Sequence, residues 1–397
     1  MAEENRAFLQ EQIEKVRQRL FSGTENLQKQ EALEIIEDAV FSSGEELEFS
    51  EYSRIIKKIY ALTRSKLGML EPYLEDDTIN EIMVNGKDCF FLEDSRGIRR
   101  IDDVFDTTEE LEEIIRNIAA GVHREINEMN PILDARLSDG SRVNAVYRNV
   151  AVNGPALTIR KFSKDRITVD EMIERGTLTK QCAAFLKMLV ECGCNIFVSG
   201  GTSSGKTTFL NALSDFVPAK ERVIVIEDSA ELQLSHIENL VQMECHNANT
   251  LGQGQVSMDM LIRTSLRMRP DRIIVGEVRG KEVAQMLQAM NTGHDGSMST
   301  GHGNSVSGML RRLEAMYLMG VQIPLDAIRA QIVEGIDVMV HLGRLADGSR
   351  KVLEIQELID FEGGRYILNP LFLLNHDRQL TPTGNSLKNE SKMKLRK

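Results

Sequence analysis

Eight residues, Gly200, Gly201, Thr202, Ser203, Ser204, Gly205, Lys206 and Thr207, have the spacing G-x-x-x-x-G-K-[ST] of a phosphate loop. The glycines let the backbone curl so that successive N–H groups point inward at a phosphate. Lys206 is expected to reach the β- and γ-phosphates of a nucleotide, and the Thr207 hydroxyl to hold Mg²⁺. Thr208 continues into the helix that starts at the loop, whose positive end faces the same anion.

Further candidates lie downstream. Arg222-Val-Ile-Val-Ile-Glu227-Asp228 reads as a buried strand with acids at its carboxyl end. In an open parallel sheet that end is where ligands bind, so Glu227, Asp228 and Glu231 are placed to hold a metal or water. On position alone they also suit a helix cap and first turn. Asp271 to Arg279 reads as a third buried strand, and Gly276-Glu277 sits where a carboxylate polarises attacking water or organises Mg²⁺. Thr292 to Ser305 is rich in Gly, Ser and Thr and carries His294 and His302. Their spacing fits no helical zinc pair, although a histidine there can donate to a phosphate oxygen. A loop with incidental histidines is the plainer reading. Arg142 follows an Asp-Gly turn and Arg160 ends an alternating strand. By residue type alone both are ordinary solvent-facing charges.

The elements that position these residues follow from periodicity. Ile196-Phe-Val198 is a short apolar strand before the loop. Phe209, Leu210, Leu213 and Phe216 follow at helical spacing, with Pro218 just past the end. Residues 1–63 read as an amphipathic helical bundle, with Phe8, Ile13, Val16 and Leu20 on one helix and Leu33, Ile36 and Val40 on the next. A third runs from about Ser50 to Leu62. Residues 64–165 read as a mixed α+β domain. Strands are expected at Ile79–Val84, Phe90–Leu92 and Ala156–Phe162, turns at Asn85-Gly86 and Asp94–Gly97, and a helix over Glu109–Ala120. Residues 166–178 are the expected hinge, and 179–375 the nucleotide-binding domain. Within it a helix covers 179–192, a mobile Gly/Asn/Gln loop runs from His246 to Gln255, and Ser257 caps a helix reaching Arg269. Residues 305–345 look helical, although Val338–Leu342 also fits a strand paired through an Asp347-Gly348 turn with Lys351–Ile359. Residues 376–397 are expected to be a basic, disordered tail.

With 397 residues, two or three domains are expected, and the charged fraction of 27% is ordinary for a globular protein. The net charge of −12 and the absence of tryptophan weigh against a nucleic-acid motor of the helicase or recombinase type, the rival enzyme class. No stretch approaches 18 apolar residues, and the acidic N-terminus lacks an apolar signal core, so a cytosolic location is expected. The odd cysteine count fits no disulfide framework, and Cys192 and Cys194 read as small core residues.

Taken together, the loop at 200–207, the acidic strand end at 223–231, Gly276-Glu277-Val-Arg279 and the histidine box at 292–305 resemble the secretion ATPase superfamily. The closest resemblance is to the CpaF/TadA-type ATPases of the Tad (Flp) pilus. It rests on Leu137–Asn144, Gly154–Phe162, Leu266–Gly280 and Met290–Gly296, and extends over about residues 66–360. The lack of a four-cysteine zinc module agrees with that branch, whereas Gly303 stands where its pattern has alanine. The resemblance implies an α/β fold: a RecA-like P-loop ATPase domain preceded by a PAS-like α+β domain and the helical bundle. It further implies six copies in a ring, ATP with Mg²⁺, and partner platform proteins at the inner membrane. Carried over by position, Lys206 and Thr207 hold phosphate and Mg²⁺, Glu277 activates water, and Glu227 and Asp228 lie near the metal. His302, His294 and Arg279 serve the nucleotide, and Arg142 and Arg160 meet the γ-phosphate on closure.

Overall fold

The computed structural model describes residues 29–42, 52, 55, 56, 59, 60, 67–94, 96–162, 166–246, 253–389 and 392. The chain forms two compact units, Met1–Ser163 and Lys164–Lys397.

In the first unit, helix α1 (Lys29–Phe41) carries Ala32, Ile36, Ala39 and Val40 at helical spacing. Ile36, Ala39 and Val40 cluster with Ile56 and Ile59, while the rings of Phe41 and Tyr52 stack 4.9 Å apart. The helix expected around Phe8 to Leu20 lies outside the described residues. A short helix α2 (Glu71–Glu75) leads into strands β1 (Ile79–Asn85), β2 (Phe90–Asp94) and β3 (Gly97–Ile101). Helix α3 (Thr108–Gly121) follows, with the Thr107 hydroxyl accepting from the Glu110 N–H as N-cap. Strands β4 (Ile132–Arg136), β5 (Arg142–Val146) and β6 (Ala156–Arg160) complete an antiparallel sheet in the order β3-β2-β1-β6-β5-β4. Leu111, Ile114, Ile115 and Ile118 of α3 cover one face, meeting the register row Leu92, Ile82, Ile159 and Val143. The β3 strand, Gly-Ile-Arg-Arg-Ile, is almost wholly exposed, so no apolar alternation announces it.

The second unit opens with α4 (Val169–Glu174), inside the stretch expected to be a hinge. Thr168 and Glu171 form a reciprocal capping box there, which a polar composition alone conceals. Then come α5 (Lys180–Glu191), β7 (Ile196–Gly200), α6 (Lys206–Ser214), β8 (Arg222–Glu227), β9 (Asn239–Glu244), α7 (Met258–Ser265) and β10 (Arg272–Val278). After these follow α8 (Val283–Asn291), β11 (Met298–His302), α9 (Val306–Gly320), α10 (Leu325–Gly335), β12 (Val338–Arg344), β13 (Arg350–Glu362), β14 (Arg365–Leu374) and β15 (Leu380–Pro382). The sheet order is β15-β14-β13-β12-β7-β11-β10-β8-β9, parallel from β12 to β9 and antiparallel beyond β12. The central strands are apolar because helices cover both faces.

Four expectations are corrected here. Helix α7 ends at Ser265, so Arg267 is not on it, and Ser257 spends its hydroxyl on the Asp259 carboxylate. The histidine box is partly a strand, β11, whose small residues fit between β7 and β10. Helix α10 stops at Gly335, leaving Ile336 in extended backbone and Val340 on β12. The expected tail from 376 is attached over its described residues, 376–389 and 392, and its remaining residues lie outside the described set. Strand β15 pairs with β14, the Glu357 carboxylate accepts the N–H groups of Lys388 and Asn389, and Lys392 sits 2.7 Å from Asp337. The expected loop at 246–255 is bounded by a bridge between His246 and Val256, and its residues 247–252 lie outside the described set.

Candidate nucleotide site

The phosphate loop joins the end of β7 to the start of α6. Gly205 caps α6 in the left-handed region (φ 89°), and Ser203 lies there too (φ 58°). A Cβ on Gly200 would stand 2.8 Å from the Leu342 carbonyl oxygen, so only glycine fits so close to β12 at the end of β7. The Ser204 hydroxyl and the Lys206 ammonium both donate to the Gly201 carbonyl, at 2.8 and 3.2 Å. Thr202 and Ser203 are exposed, while Thr207 and Thr208 are half-buried in the first turn of α6.

The strand order decides what joins Lys206. Strand β11 lies between β7 and β10, with His302 in register with Gly200. His302 therefore stands between the loop and Glu277 of β10. The Lys206 Nζ lies 3.1 Å from His302 Nδ1 and 3.7 Å from Glu277 Oε1. An ammonium only donates, so Nδ1 accepts and the His302 proton belongs on Nε2, 3.1 Å from Glu277 Oε1. That carboxylate oxygen is buried and accepts no well-directed hydrogen bond. Arg279 grips the other, Oε2, with Nε at 2.9 Å and Nη2 at 2.7 Å, and its Nη1 lies 3.4 Å from Asp228. Burial pushes the Lys206 and His302 values down, against the opposing pull of Glu277. His302 is thereby held neutral near pH 7.

Not every expected residue joins this cluster. Glu227 is buried and turns its carboxylate back into its own loop, where Oε1 accepts the N–H groups of Glu231 and Leu232. The carboxylate expected near a metal thus anchors its own loop here. His294 precedes β11 and so sits at the amino edge of the sheet. There its Nδ1 meets the Ala289 carbonyl at 3.1 Å, a full strand away from Lys206. Arg142 and Arg160 belong to the first unit, where they are direct partners on β5 and β6. They share a row with Arg136, Glu81 and Glu93 on the face opposite α3. The Glu81 carboxyl is raised by burial and by Glu93, with Arg160 opposing.

One supporting contact was not anticipated. Beneath the loop the Ser199 hydroxyl meets Nδ1 of buried His341 on β12 at 2.9 Å. Both are polar residues inside apolar strands, which is the signal that could have found them.

Residues 63–357 match the family described as "Type II/IV secretion system protein". An uncharacterized protein of Methanocaldococcus jannaschii is 45% identical over 256 residues, 62% of this chain but only 35% of that one. Type IV secretion system protein PtlH of Bordetella pertussis is 33% identical over 317 residues, 73% of this chain and 93% of its own length. The X-ray structure of the ATPase DotB of Legionella pneumophila superposes with a TM-score of 0.52 at 20% identity, covering 75% of this chain and 81% of that one. This is a likeness of fold, and it makes the second unit RecA-like. With the family matched over most of its length, the chain belongs to the type II/IV secretion system protein family.

Proposed function

We propose that the chain is an ATPase that works as a hexameric ring and turns ATP hydrolysis into movement of an inner-membrane platform, in a secretion system or in assembly of a Tad or other type IV-like pilus. The observation that carries the reading is Glu277 Oε1, a buried carboxylate oxygen without a directed hydrogen bond, facing Lys206 and His302 at the phosphate loop. Among the described residues no helix is long and apolar enough to cross a membrane. A place at the cytoplasmic face of the membrane is part of the proposal.

In this mechanism the Lys206 ammonium and the α6 N-terminus bind phosphate oxygens. Neutral His302 donates from Nε2. Glu277 orients a water and accepts its proton as the water oxygen bonds to the γ-phosphorus and the bond to the β-phosphate oxygen breaks. ADP and phosphate leave. Arg279 holds Glu277 in place through its two bonds to Oε2. The residues fit Mg²⁺: the Thr207 hydroxyl and the half-exposed Asp228 carboxylate would hold it, and it would neutralise charge on the phosphates. Arg142 and Arg160 of the first unit would complete the charge on the γ-phosphate.

The test is phosphate release against protein concentration, for the wild type and Arg160→Ala. Specific activity is expected to rise steeply with concentration, and the variant to lose it while still binding ATP. Flat specific activity with an unaffected variant would leave a phosphate-loop ATPase without ring or arginine contribution.

A further inference from the structure

Arg344 and Arg350 are direct partners across the β12–β13 hairpin, and both are exposed. Arg350 reaches the phosphate loop: its Nε donates to the Ser203 carbonyl at 3.1 Å. Its Cδ lies 3.2 Å from where a Cβ on Gly205 would stand. Ser203 keeps its left-handed backbone only because its surroundings fix it, and this bond is one of the fixtures.

Neither guanidinium is neutralised. The hairpin's own acid, Asp347, is occupied: Oδ1 accepts from the Ser349 N–H and hydroxyl, and Oδ2 from Arg378. Among the described residues neither Arg344 nor Arg350 forms an ion pair. Like charges directly opposite on adjacent strands repel each other. In a chain with 60 acidic and 48 basic residues, that repulsion is left in place beside the phosphate loop. Paired guanidiniums with free N–H groups suit a multiply charged phosphate, which draws both together.

We propose that Arg344 and Arg350 bind the phosphates of the nucleoside triphosphate from the hairpin side of the loop. Arg350 is also a positioning residue that keeps the Ser203 carbonyl, and so the loop N–H groups, in place. This rests on the nucleotide-binding reading above.

The experiment titrates ATP, ADP and AMP into the full chain and measures steady-state turnover for the wild type, Arg344→Ala, Arg350→Ala, Arg350→Lys and Lys206→Ala. Arg350→Ala is expected to weaken ATP about tenfold, the loss of one charge-assisted hydrogen bond. KM should rise more than kcat falls, with a larger loss for ATP and ADP than for AMP. Arg344→Ala should weaken ATP by a smaller factor, and both should flatten the salt dependence of binding. Arg350→Lys should restore the salt dependence and part of the affinity, with the nucleotide-free thermal midpoint of every variant near that of the wild type. The inference is overturned if both alanine variants bind ATP within twofold of the wild type while Lys206→Ala does not, which leaves the phosphate-loop reading standing. It is also overturned if lost affinity tracks a lowered thermal midpoint. Wild-type affinity in Lys206→Ala would instead sink the nucleotide reading itself.

Discussion

Replacing Glu277 by Gln separates the two jobs its carboxylate performs. The amide keeps the shape and leaves Arg279 a carbonyl oxygen to grip, with Asp228 still beside it. What disappears is the negative charge that accepts a proton and holds Lys206. Loss of a general base costs about 10²–10⁴ in rate, or about 3–5 kcal/mol of barrier at 1.36 kcal/mol per tenfold. Binding moves the other way. Unit charges 4 Å apart attract by about 4 kcal/mol at an effective dielectric of about 20. Lys206 and Glu277 stand 3.7 Å apart, so Lys206 spends part of its charge on Glu277 before any phosphate arrives. Neutralising the acid frees that charge for ATP. The expected result is a kcat at least ~100-fold lower with ATP affinity equal to or tighter than the wild type. Equilibrium ATP binding together with single-turnover phosphate release reads both numbers. A kcat within tenfold of the wild type would remove Glu277 as the proton acceptor. A parallel loss of affinity and rate would show that the cluster matters for the loop's shape, not for the chemical step.

Arg272 is fully buried, bound by Glu221 through Nε at 2.8 Å and Nη2 at 3.2 Å. Glu221→Ala should therefore cost about 3–5 kcal/mol in urea unfolding, because a buried cation is left unpaired. Burial holds His341 below its ordinary value of 6.5, so the unfolded chain binds the extra proton. Stability is then fully present above about pH 6.5 and falls as the pH drops through and below it; a urea midpoint followed from pH 7 to 5 should fall less in His341→Asn. In Gly200→Ala the new methyl meets the Leu342 backbone oxygen, which cannot swing aside. A loss of about 1–3 kcal/mol in stability, together with weaker ATP binding by titration calorimetry, is expected.

The parts of the site that were legible in sequence are those in which one segment carries its own geometry. The phosphate loop needs only its glycines, and Glu277 needs only an apolar strand before it. His302 was recognised without its strand, because Met-Ser-Thr-Gly-His has no alternation to read and is a strand only through its neighbours on both sides. Glu227 was legible as a strand-end acid, but its orientation depends on the loop that follows, five residues on. Arg272 and Glu221 are far apart in sequence, and the void for the guanidinium is made by Gly296, which no local pattern reveals. The terminal segment reads as polar. Its attachments are backbone N–H groups and Lys392 meeting acids that sit elsewhere in the chain.

Strand β11 also has a mechanical consequence. Only two residues separate His302 from Ser305, which caps α9 through its hydroxyl and the Gly308 N–H. Helix α9 has 15 residues and so extends about 22 Å. A tilt of about five degrees at its base displaces its tip by about 2 Å. That tip carries the exposed Leu318 and Met319. The histidine beside the phosphate loop thus stands at the base of a helix whose far end shows an apolar pair to solvent while Tyr317, one residue before that pair, is held by Gln331.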